Sequence, residues 1–117
     1  MKNKKYDVEE RLIQFSVDII KICQKTVKNF ASEHLVKQII RSSTSSALNY
    51  GEALGAGTTK DRINKLRITL KELRESLRNL RIQSKANLLT SDKSSTLQSE
   101  NDELIQIVVT LIKNSND

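Results

Sequence analysis

Proline is absent from this chain, and glycine occurs only at positions 51, 55 and 57. So few breakers, set among many Leu, Ile, Lys, Glu and Gln, favour long helices. Tryptophan is missing too. The aromatics are limited to Tyr6, Phe15, Phe30 and Tyr50, so the core must be aliphatic. A single cysteine, Cys23, excludes an internal disulfide framework and a Cys-based metal cluster. A single histidine, His34, with no ligand constellation around it, gives no metal site. No run reaches the ~18 uninterrupted apolar residues of a membrane span. The start, MKNKKYDVEE, is basic and then acidic, which does not read as a signal peptide, and a cytoplasmic location is expected. With 117 residues there is room for one domain. A domain of that size buries roughly two-thirds of the surface its unfolded chain exposes.

Catalytic signals are equally scarce. Ser42, Ser43, Ser45 and Ser46 have no matching His and acid arrangement. Cys23 lies beside an apolar seam, as a small core residue does. GEALGAGTTK, residues 51–60, lacks the Gly-Lys-Ser/Thr spacing of a phosphate loop, and no strand precedes it. A helix-to-helix turn fits better, although the following helix start, with Lys60 and Arg62, is attractive to an anion. No enzyme, cofactor or metal is expected.

Four amphipathic segments are present. Helix 1 is expected over about 7–30, with Asp7 as N-cap and Val8, Leu12, Phe15, Ile19, Ile22 and Phe30 near helical spacing. Ile13, Val17, Ile20 and Val27 widen that face beyond what one intramolecular seam needs. Helix 2 is expected over about 33–54 after a Ser32 cap. Gly55 and Gly57 break its pattern, as glycine does when it relieves a left-handed turn at a helix end. Helix 3 is expected over about 59–86 behind Thr58, with Asp61 three residues on. Its Ile63, Leu66, Leu70, Leu73, Leu77 and Leu80 alternate steps of three and four, a heptad seam. Helix 4 is expected over about 92–114, with a second broad apolar face running from Leu97 to Ile112. Short connections make neighbours antiparallel, so the expected fold is all-α, an up-down-up-down antiparallel four-helix bundle in a single domain.

The charge is unevenly placed. Of a net charge of +6, all of it falls in residues 58–86, which hold nine Lys or Arg and three Asp or Glu. Five of the seam leucines are each followed at once by Arg or Lys. A helix turns by about 100° per residue. Arg67, Lys71, Arg74, Arg78, Arg81 and Lys85 therefore share a face beside the Leu seam, and Lys60 falls on the same line. Three readings fit such a ladder: a solvated flank whose stems shield the core edge, a contact with acids of another subunit or protein, or a ridge for phosphates of RNA or DNA. With so few aromatics, base stacking is hardly possible, so nucleic-acid contacts would be mainly to phosphates. Structured RNA or duplex suits that better than unstacked single strand.

Helix 2 carries RSSTSSALNYGEA over residues 41–53. Arg41, Ser45, Asn49 and Glu52 fall within about 80° of one another, a polar stripe suited to a hydrogen-bonded network between helices or subunits. This segment resembles the small four-helix-bundle proteins first noticed in intervening sequences of bacterial large-subunit ribosomal RNA genes. Arg41, Ser42, Thr44, Ser45, Asn49, Glu52 and Ala53 fit the family's pattern there. Lys65, Leu66, Leu70, Lys71, Glu72, Arg74 and Glu75 fit a second block, at the right separation. Ser46 and Tyr50 stand where aliphatic residues are usual, and Arg78 and Asn79 where an aromatic pair is common. The resemblance implies a bundle that assembles into homo-oligomeric rings, pentamers among known members. It also implies nucleic-acid binding in one branch, whose members act as accessory factors to a retroelement reverse transcriptase.

Overall fold

A computed structural model of the chain describes residues 7–115. They form four helices: α1 (Val8–Cys23), α2 (Phe30–Leu54), α3 (Thr59–Lys85) and α4 (Ser91–Ser115). Among the described residues there is no strand. Each helix packs on its neighbours in chain order, and α1 meets α4 to close the bundle. The directions alternate. Leu35 lies across from Asn79, Ser42 across from Ser76 and Glu52 across from Lys65, so α3 descends as α2 climbs. The up-down-up-down bundle expected from the spacing is the one observed.

Among the described residues the core is aliphatic except for Phe15 and Tyr50. Leu12, Ile19, Ile39, Leu73, Leu80 and Leu104 are all fully enclosed. The heptad seam of α3 divides in two. Leu66, Leu73 and Leu80, seven residues apart, are buried, while Ile63, Leu70 and Leu77 are half-buried at the edge facing α4. Small polar residues fill much of the remaining interior, including Ser43, Ser46, Ser76 and Asn101. The serine hydroxyls bond carbonyls of the preceding turn, as Ser46 does to Ser43 at 2.6 Å and Ser76 to Glu72 at 3.0 Å, while Asn101 donates to the Leu73 carbonyl at 3.2 Å and leaves its own Oδ1 without a partner among the described residues.

Two boundaries differ from expectation. α1 ends at Cys23, not near residue 30. The Lys25 amide donates to the Ile22 carbonyl and the Thr26 hydroxyl to the Cys23 carbonyl, which tightens the last turn and ends the helix. Val27 and Phe30 keep helical spacing with α1 but are not part of its buried face, being 55% and 87% exposed. Ser32 is not the cap of α2. Asn29 is, accepting from the Ser32 amide at 2.8 Å, while the Ser32 hydroxyl accepts from the Asn29 amide at 2.9 Å. This reciprocal box satisfies two donors that a helix start leaves unpaired.

Asp7 occupies the cap position of α1 without a side-chain capping bond. Thr58 does cap α3, accepting from the Asp61 amide at 3.1 Å. The left-handed glycine expected after α2 does not occur, since Gly55 has φ −93°. The left-handed residue is Asn87, φ 60°, just past α3. There the Leu88 amide reaches the Gln83 carbonyl and the Asn87 amide reaches Ser84, the paired bonds of a Schellman closure.

Candidate nucleic-acid interface

α3 is unbroken from Thr59 to Lys85, so its cations are held on one rigid rod. From Lys60 to Lys85 that rod extends roughly 38 Å at 1.5 Å per residue. Lys60, Arg67, Lys71, Arg74, Arg78, Arg81 and Lys85 are all exposed. They lie on the flank of α3 that borders α4, above the half-buried Leu70 and Leu77. Arg67, Lys71, Arg74 and Arg78 rim a shallow hollow whose floor includes Leu70 and Ile112 of α4. None of the seven forms an ion pair with another described residue.

Of the acids of α3, only Glu75 also lines this hollow. Glu72 and Glu75 both face α2, where one guanidinium takes both. Arg41 Nη1 donates to Glu72 Oε2 at 3.2 Å, and Nη2 donates to Glu75 Oε2 at 3.0 Å. The Glu72 side chain is only 7% exposed, against 60% for Arg41. Arg41 is held still more firmly protonated than usual, first by its hydrogen bond to Glu75 and then by the charge of Glu72. Asp61, the remaining acid of α3, sits in the first turn, where a negative charge complements the helix dipole.

The four residues of the polar stripe on α2 have separate partners. Arg41 reaches across to Glu72 and Glu75. Glu52 pairs with Lys65 at 3.1 Å, also across to α3. Asn49 donates to the Ser45 carbonyl and hydroxyl within its own helix, at 2.9 and 3.0 Å. Four residues of the same seam were not singled out by sequence as a group: Glu72, Ser76, Asn79 and Gln83. The Ser42 and Ser76 hydroxyls lie 2.7 Å apart, Asn79 donates to the Leu35 carbonyl at 2.9 Å, and Gln83 donates to Asn79 at 2.6 Å. Their spacing of four, three and four was the available signal. It is a second heptad stripe, polar, running beside the leucine one.

Other candidate sites are weaker. Lys21, Lys25 and Lys93 line a hollow between α1 and α4, and Lys25 so close to Lys93 lowers the Lys93 pKa. Asp18 and Asp92 line the same hollow, so its charge nearly balances. His34 is exposed. Cys23 is a buried thiol, pushed up to about 11 by desolvation, unlike an activated nucleophile. Among the described residues no group of His, Cys, Asp and Glu could hold a metal ion, and no helix is long and apolar enough to cross a membrane.

Residues 4–110 match the family model of the 23S rRNA-intervening sequence protein. The chain belongs to this family. A crystal structure of a protein of unknown function, from the S23 ribosomal protein family of Bacteroides thetaiotaomicron, is similar to it. The TM-score is 0.86 and the identity 29%, over 95% of this chain and 99% of that one. Neither the family nor this neighbour is named as an enzyme. No curated protein matches the chain.

Proposed function

We propose that the chain is a non-enzymatic helical scaffold that binds RNA or DNA by its phosphates, along the ridge Lys60, Arg67, Lys71, Arg74, Arg78, Arg81 and Lys85. One observation carries the reading. The ridge cations are exposed and have no ion-pair partner among the described residues, while the carboxylates of Glu72 and Glu75 are both taken up by Arg41 of α2. A straight row of cations suits a polyanion, and guanidinium forks suit phosphate oxygens. By the resemblance stated above, such a scaffold would serve as an accessory factor to a retroelement reverse transcriptase.

The scaffold assembles with copies of itself in this reading, as pentamers if it follows the resemblance. Ile13 and Ile20 of α1 remain 44% and 37% exposed. Half-buried Val17 lies with them on the flank toward α2, and Val36, Ile40 and Ala47 lie on the facing flank of α2. An apolar strip of that kind gains by burial in a second copy. The competing reading places an acidic protein or a neighbouring subunit on the ridge and draws on the apolar floor formed by Leu70 and Ile112.

The test is replacement of Arg67, Arg74, Arg78 and Arg81 together by Gln. Binding to an RNA duplex should weaken by more than about a hundredfold near 0.15 M salt, as expected for four lost phosphate contacts. Helicity and solution mass should be unchanged. Undiminished duplex binding would refute the ridge. A change in solution mass, with no duplex binding even by the parent, would favour the protein-docking reading.

A further inference from the structure

We infer that Arg41 is a positioning residue for the ridge: it holds Glu75 toward α2 and so keeps that carboxylate from neutralising Lys71 and Arg78. This rests on the ridge reading above and adds a residue from another helix to it.

Glu75 sits at the crest between two surfaces. It lines the hollow between α2 and α3 with Arg41, Gln38, Asn79 and Arg78, and it also lines the ridge hollow with Lys71, Arg74 and Arg78, yet its ion pair is with Arg41. Within α3 it is four residues after Lys71 and three before Arg78. Both spacings bring opposite charges into contact on a helix surface. Left to its own helix, Glu75 would cancel a ridge cation. In the structure it accepts from Arg41 Nη2 at 3.0 Å instead.

The other half of the same guanidinium explains why this arrangement persists. Nη1 holds Glu72, a carboxylate only 7% exposed, and a buried carboxylate needs its cation. Arg41 is therefore anchored by Glu72 and offers its second amine to the acid one turn along. Two carboxylates three residues apart on one helix match the two ends of a planar fork. A lysine ammonium is a point charge and cannot span them. Glu72, with the greater need, would keep it, and Glu75 would swing free.

The test uses Arg41→Lys, which preserves formal charge and a partner for Glu72, in a cycle with Glu75→Gln. In the free protein, the Arg78 Nε–H and Lys71 ammonium NMR signals should shift in R41K and return in R41K/E75Q. Binding to an RNA duplex should weaken roughly fivefold in R41K near 0.15 M salt, with a salt slope smaller by about 0.7–0.9, the loss of one phosphate contact. In the E75Q background the same R41K change should have no effect on binding. A purely structural role for Arg41 would not vanish when Glu75 is removed. Unmoved Arg78 and Lys71 signals in R41K, or an equal R41K effect in both backgrounds, would overturn the inference. A parent protein that binds no duplex would sink the ridge reading instead, and the side-chain signals would still decide whether Arg41 restrains Glu75.

Discussion

The two flanks of α3 carry polar side chains at heptad spacing, and they meet opposite surroundings. On the α2 side, Glu72, Ser76, Asn79 and Gln83 are buried and hydrogen-bonded. On the α4 side, Arg67, Lys71, Arg74, Arg78 and Arg81 remain in solvent without ion pairs among the described residues. Side-chain length and charge account for the difference. Ser, Asn and Gln are compact and can enter a helix interface if a carbonyl or hydroxyl meets them. Arg and Lys carry a charge at the end of a long stem, so they cover the half-buried Leu70 and Leu77 with methylenes and keep the charge wet. One flank joins two helices. The other keeps its charge in solvent.

Substitutions can break or sharpen that contrast. The largest effect should come from Leu73, the fully enclosed residue between the flanks. Leu73→Ala should lower unfolding stability by about 2–5 kcal/mol in a urea titration, through lost burial and a cavity. The α2 flank comes next. Asn79→Ala removes the donor to the Leu35 carbonyl and the acceptor for Gln83, leaving both in a buried seam. A loss of about 1–3 kcal/mol, read as a lower thermal midpoint, is expected.

The ridge should behave otherwise. Arg74→Gln, one residue from Leu73, should change stability by less than about 0.5 kcal/mol. It should nevertheless reduce the salt slope of duplex binding by about 0.7–0.9. A stability loss as large as that of Asn79→Ala would show that the ridge is structural after all. The smallest effect is in chemical reactivity. Lys71 and Lys85 should acetylate freely in the native protein and be shielded by added RNA duplex. Cys23, whose thiol burial pushes to about 11, should stay protonated at pH 8 and resist alkylation until the protein is unfolded. Rapid native alkylation would mean that α1 opens at its C-terminal end.

α3 was the most legible element. Its leucine seam and the Thr58 cap act locally, and its expected start and end lie within a residue of those observed. The end of α1 was not legible. Val27 and Phe30 continue the apolar spacing, and the features that stop the helix are the Thr26 hydroxyl bond and the Asn29–Ser32 box of the next helix. The exposure of the ridge could be read from its place beside the seam. The partner of Glu72 could not, because Arg41 lies 31 residues away on another helix. Glu75 has Lys71 and Arg78 at helical spacing on its own helix, yet its contact is with Arg41, 34 residues away.

By itself the sequence determined four helices, their alternating direction and a straight line of cations on the third. Each of these follows from periodicity, caps and short loops, which operate within a few residues. Only the tertiary structure decided which acids those cations would be spared. That depended on how α2 lies against α3, and on a buried carboxylate claiming a guanidinium that could then reach a second one.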